Sequence, residues 1–399
     1  MMLNIDEART SQRIALFNSG FRIFFLAAAL FSVLSMLVWL FSYSLKLDPG
    51  LNGFASLTWH AHEMIYGYSM AVISGFLLTA VTNWTNRKTL TGKLLLLVFV
   101  FWLLARIMPF VAVQNNVEWM FLFDTLFFIM LITGISRPVI KSRNWLQLPI
   151  ILLLIGLMLT NSLFYAEQMQ VVNGVTRIGL YGGFYLVLTL VLIMARRVIP
   201  FFIEKGLDNS YAPRNYLWLD QAIIPFFVLY ATSEVVRFNP LVISVLAAIL
   251  FVLNLVRLYQ WYTTAIWKKP LLWILIVSYF FITLAFALKA VSYLIPLSDF
   301  IVLHSFAVGG VGLLTVGMMA RVALGHTGRN VFEPPAILLW IFVSIGLASV
   351  LRIVFPLLLP GYYEQWVILS QFFWITAFSL FIFHYAAILI NPRLDGRPG

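Results

Sequence analysis

Ile23-Phe24-Phe25-Leu26-Ala27-Ala28-Ala29-Leu30-Phe31-Ser32-Val33-Leu34 carries no charge and lies within a longer apolar run, Phe21 to Ser44. A helix needs about twenty such residues to cross a ~30 Å hydrocarbon layer, so this run reads as a membrane span. No small-residue cleavage site follows it, and the span is therefore read as uncleaved. Eleven further runs of similar length follow, at about 60–83, 91–113, 117–135, 145–165, 174–195, 215–235, 240–262, 271–293, 298–323, 334–355 and 364–390. The expectation is an all-α integral membrane protein, a bundle of about twelve transmembrane helices.

The bulk composition demands the same class. Of 399 residues 62% are hydrophobic and 10% charged, against about 25% charged in a soluble domain, so there is too little polar surface to cover a globule. Residues 1–399 read as one polytopic domain, with 1–20 an N-terminal segment and 391–399 a tail. The net charge of +11 speaks for topology rather than for nucleic acid. In a twelve-span reading, 19 of the 26 Lys and Arg fall on one side, from Arg9, Arg13 and Arg22 through Arg87, Lys88 and Arg196 to Arg393 and Arg397. Both termini are thus expected in the cytoplasm. The sequence shows only a faint internal echo, His62-Glu63-Met64 and His304-Ser305-Phe306 each opening a helix of the same direction, and no repeat is read from it.

The chain has no cysteine and five histidines. That excludes disulfides, iron–sulfur clusters, thiolate ligation and the Cys-x-x-Cys-His attachment of haem, and leaves imidazole as the transition-metal donor. Two of the five stand in Trp59-His60-Ala61-His62-Glu63-Met64. His304 opens another span at the same membrane face, so the three form a candidate metal or haem site near the outer surface; the plain alternative is hydrogen bonding to water and headgroups. Residues 100° apart on a helix make His60 and His62 face opposite ways. Either the first turn is irregular or the two serve different centres, one a ligand and the other its partner. His60 shares a face with Glu63 and Met64, and His62 with Tyr66. Gly309, Gly310 and Gly312 admit either a neighbouring helix or a flat macrocycle. His326, 22 residues beyond His304, belongs to a second, inner site or to the turn Gly325-His326-Thr327-Gly328-Arg329. His384 reads as packing.

Charges inside spans are functional candidates. Arg106 and Asp124 are equidistant from the hairpin centre near Asn115 and are expected to pair. Lys289 is level with His304. Arg177, Arg237 and Arg352 gather at the outer side against the topology bias.

Trp59 to Met64, followed by Gly75-Phe76-Leu77-Leu78-Thr79-Ala80-Val81 and Asn83-Trp84-Thr85, resembles the signature of the NnrS family. So do His304 through Gly312 with Met319-Ala320-Arg321-Val322-Ala323-Leu324-Gly325-His326-Thr327-Gly328-Arg329, Arg197-Val198-Ile199-Pro200-Phe201-Phe202, and the tail from Pro392 to Gly399. The resemblance spans the whole chain. It implies a multi-pass protein of the bacterial inner membrane containing a non-covalent b-type haem and copper and linked to the nitric oxide response. It places His60, His62, Glu63, His304, Arg321, His326 and Arg329 on family motif positions. Its functional implication is protection against nitric oxide, by reduction at a haem–copper centre fed by an unidentified electron donor, or by binding alone. The alternative, which twelve spans also fit, is a carrier of metal or metal–nitrosyl species; long Gly- or Pro-broken helices in matched halves would favour it, and the sequence shows none that match. The resemblance does not say which histidine holds which group; from shared depth and helix faces His62 is assigned to the haem opposite His304, with Arg106 and Lys289 on its propionates, and His60 to copper with Met64 or Glu63; the reverse assignment follows if the first turn is irregular. Arg321, His326 and Arg329 are the candidate inner cofactor site.

Overall fold

The computed structural model describes residues 14–52 and 54–396; Arg9, Arg13 and Arg397 lie outside them. Twelve long helices make up the described chain. They are α1 Gly20–Ser44, α2 Ser56–Thr85, α3 Gly92–Phe110, α4 Asn116–Ser142, α5 Trp145–Gln168 and α6 Ile178–Gly206, then α7 Leu217–Val235. The remainder are α8 Pro240–Trp261, α9 Pro270–Val291, α10 Asp299–His326, α11 Ile337–Leu358 and α12 Pro360–Ile390. Eleven are long and apolar enough to cross a membrane. The exception is α7, which carries Asp220 and Glu234. Both acids are met inside the bundle, Asp220 by Arg257 of α8 at 2.5 Å and by Arg196 of α6, Glu234 by Lys289 of α9 at 2.7 Å. The chain is an all-α, multi-pass membrane protein.

The helices fall into three four-helix units. Starts at Gly20, Trp145 and Pro270 head the units, and each of the four helices recurs 120 to 125 residues later in the next unit. Within each unit consecutive helices pack on one another, α4 packs on α5 and α8 on α9, and α12 closes the ring on α1. The second helices of the units, α2, α6 and α10, touch one another pairwise and so form the centre. The faint echo read from the sequence was therefore part of a real threefold repeat. Membrane spans draw on the same few apolar residues, so the repeat survives in helix length and order rather than in residue identity. The ring closure is anchored by Arg22 at the start of α1, whose guanidinium donates to the carbonyls of Leu389 (2.9 Å) and Asn391 (2.7 Å) at the end of α12.

Four stretches widen from α- to π-helix: Leu40–Ser44 at the end of α1, and Glu63–Ser69, Ile178–Gly182 and Ser305–Gly312 near the starts of α2, α6 and α10. A π turn adds a residue to the helical turn and re-aims the side chains around it, and such turns concentrate at functional sites. All four contribute walls to one cavity.

Candidate metal centre

The histidine end of the bundle holds two compartments, separated by the wall of α2. The first is a cavity of about 460 Å³ among α1, α2, α6, α10, α11 and α12, within the usual range for small-molecule and cofactor sites. His60 and His304 both line it, with Met36, Met64, Arg352 and Gln371. The His304 ring donates from Nδ1 to the carbonyl of Phe300, one turn back, at 2.6 Å. That bond fixes the tautomer and leaves Nε2 as the free donor atom, as in metal-ligating histidines. His60 lies flat on the Trp39 indole, 4.5 Å between centroids and 10° between planes, and its Nδ1 is buried without a hydrogen-bond partner. Arg352, 8% exposed, has a buried Nη1 with no partner and sits over the Tyr363 ring at 5.4 Å. Gln371 takes a hydrogen bond from Ser44 on its oxygen (3.1 Å) while its Nε2 is buried and unpartnered.

The second compartment is a closed ring of polar side chains. His62 Nδ1 faces Glu63 Oε1 at 3.0 Å, and its Nε2 faces Asn161 Oδ1 at 2.9 Å. Asn161 Nδ2 donates to Asp124 (3.2 Å), Arg106 donates to both Asp124 oxygens at 2.6 Å, and its other arm lies 3.0 Å from Glu63 Oε2, which completes the circuit. Tyr165 adds a hydroxyl donor to Asp124 at 2.7 Å. All five ring members are at most 3% exposed. Phe54, Trp59, Phe164 and Tyr165 cap them as a small aromatic cluster of their own, and Phe164 stacks on the His62 ring at 4.4 Å.

This geometry redraws the sequence-based site. The expected Arg106–Asp124 pair is present. His62, expected opposite His304, lies in the closed ring with both nitrogens committed to oxygens. Glu63 turns away from His60, because its carboxylate lies between His62 and the Arg106 guanidinium, and only Met64 stays beside His60 on the cavity wall. Arg106 is already met by two carboxylates, and Lys289 is held by Glu234 and by Asp299 (3.2 Å) away from the cavity. The cations expected at a propionate are thus spent on the chain's own acids, and among the described residues Arg352 is the cation that faces the cavity. The glycines of α10 serve packing: a Cβ on Gly309 would stand 2.5 Å from Phe281 and one on Gly310 2.6 Å from Ile282.

The inner candidates stand at the other end of α10 and do not join His304. Arg321 stacks over Phe202 at 3.9 Å. His326 packs on Phe21, and its carbonyl accepts from Arg393 at 2.7 Å. Arg329 follows in the turn, where burial pushes its guanidinium below the usual arginine range. The adjacent Arg393 is held above that range by its hydrogen bond to Asp395.

Two imidazoles from different helices, a thioether, and a walled apolar cavity at one end of a twelve-helix membrane bundle define a polytopic membrane protein with a candidate metal or haem centre. The NnrS family model matches residues 15–393, nearly the whole chain. The chain therefore belongs to the NnrS family, which is linked to the nitric oxide response. No curated protein matches it.

Proposed function

We propose that the cavity is a haem–copper site at the outer face of a bacterial inner membrane and that the protein defends the cell against nitric oxide there. The observation that carries this reading is the pair His60 and His304, each with nitrogen to spare, on the wall of one apolar cavity. The residues fit the group. Among the described residues no three His, Asp or Glu side chains gather as a metal site, so two imidazoles and a thioether suit an iron whose remaining ligands belong to a macrocycle, with a soft site beside it. His304, its tautomer fixed by Phe300, would hold the iron. His60, held flat by Trp39 and joined by Met64, would hold copper.

When bound, ferrous haem supplies an iron that takes nitric oxide, and copper next to it supplies a second ligand position or an electron. The largely apolar lining would limit water in that space, and His304 of the third unit and His60 of the first would hold the two metals.

Purified protein is expected to show an acid-acetone-extractable b-type haem spectrum that shifts on addition of nitric oxide. His304→Ala should lose haem, His60→Ala should keep haem and lose copper, and His62→Ala should keep both. Haem retained in full by His304→Ala would overturn the site. A second reading, carriage of a metal or metal–nitrosyl species, draws on the matched π-helical openings of α2, α6 and α10. Anaerobic consumption of nitric oxide with a reductant separates the two, since a carrier has no turnover.

A further inference from the structure

The two compartments occupy corresponding places in the first and third four-helix units. His62 and His304 are each the last α-helical residue before the π turn of α2 and α10, and Glu63 and Ser305 open those turns. Arg106 lies fourteen residues beyond Gly92, the first of α3, and Arg352 fifteen beyond Ile337, the first of α11. Asp124 stands eight residues beyond Asn116 in α4, and Gln371 eight beyond Tyr363, where the α-helical part of α12 begins. Asn161 is sixteen residues beyond Trp145 at the start of α5, and Met36 sixteen beyond Gly20 at the start of α1. Histidine and arginine are thus present in both units. Every acceptor that satisfies them in the closed ring has a counterpart in the cavity that bears no charge: Glu63 becomes Ser305, Asp124 becomes Gln371, Asn161 becomes Met36.

The geometry points to a cavity ligand that carries its own oxyanion, a carboxylate held by Arg352 with the Gln371 amide as second donor. A buried guanidinium without a carboxylate is costly, and here the missing charge has to arrive with the ligand. Both donors that would meet it, Arg352 Nη1 and Gln371 Nε2, are buried without partners in side chains at most 8% exposed. The Ser305 hydroxyl cannot supply the missing charge, because it is neutral, gives its proton to the Phe281 carbonyl at 2.9 Å and stands off the cavity wall. The inference rests on the haem reading for the identity of the ligand, whose ring carboxylates are the proposed source of the charge. A free small oxyanion beside the ring is the other source of the same chemistry.

The test uses the full-length protein in detergent, titrated with iron protoporphyrin IX, its dimethyl ester and metal-free protoporphyrin IX. Charge-assisted hydrogen bonds of this kind correspond to about a 10- to 100-fold change in affinity. The acid form is expected to bind tighter than the ester by that factor. Arg352→Gln should abolish the preference. So should Gln371→Glu, which restores an acid at the position of Asp124 and keeps the side chain's size. Metal-free protoporphyrin should keep the Arg352 dependence and lose the His304 dependence. Should imidazole ligation be wrong and the anion site right, iron and metal-free rings bind equally and both depend on Arg352. Should acid and ester bind alike, nitrite is added to the ester-loaded protein. An absorption change lost in Arg352→Gln then assigns the oxyanion to a free ion. Binding that is indifferent to Arg352 and Gln371 in every arm, or no porphyrin binding and no nitrite response, overturns the proposal.

Discussion

The closed ring around Arg106 and the open cavity around Arg352 share a helical frame and differ in how charge is balanced. In the ring, Glu63 and Asp124 come from α2 and α4 and neutralise the guanidinium between them. In the cavity no acid among the described residues reaches Arg352, which stands on the cavity wall. A few exchanges of acid for neutral side chain thus separate a structural strut from a binding site. Buried charge has to be compensated by something, and whichever partner the chain omits becomes a requirement on the ligand.

The largest effect that would break this comparison is expected at Arg106. Arg106→Met strands two buried carboxylates and should cost about 3–5 kcal/mol, read as a collapse of folded yield or of the thermal transition in detergent. Arg352→Met strands no acid of the chain, and its thermal transition should stay close to wild type before any cofactor is added. Equal losses in the two variants would show that the compartments are not balanced differently. His62→Ala comes next: leaving Glu63 and Asn161 without their shared partner should cost roughly 1–3 kcal/mol, with cofactor content unchanged. Gly309→Ala forces a methyl group onto Phe281 and should cost about 1–3 kcal/mol by overpacking. Smallest is Gly346→Ala on α11, where an added Cβ meets nothing within 4 Å and where about 0.5–1 kcal/mol of stabilisation is expected from helix propensity. Thermal shifts of the paired glycine variants in one detergent give the scale for the others.

Much of this was legible in the residues. The twelve helices, the Arg106–Asp124 pair and the nearness of His60 to His304 at one end of the bundle all follow from local pattern: run length, distance from a hairpin turn, the position of a rare residue type. The exclusion of His62 from the cavity was not legible, because it depends on Asn161, about a hundred positions away and on another helix. Nor was the place of Gln371 on the cavity wall, since it is one of several polar residues in a long aromatic span. The repeat also leaves a trace in residue identity. Met194-Ala195-Arg196 near the end of α6 recurs as Met319-Ala320-Arg321 near the end of α10, 125 positions later, which is the interval between unit starts.

Hydropathy acts residue by residue, and for that reason the sequence by itself determined that this chain lies in a membrane, how many helices it forms, and which residues are too polar to be there without a reason. Charge compensation and cavity shape act between residues brought together from distant helices. Only the tertiary structure, by closing three four-helix units into a ring around α2, α6 and α10, decided that Arg106 finds two acids and Arg352, among the described residues, none. The same closure sends two histidines only two positions apart into different compartments, because successive side chains on α2 face different neighbours and only one of those neighbours leaves room for a ligand.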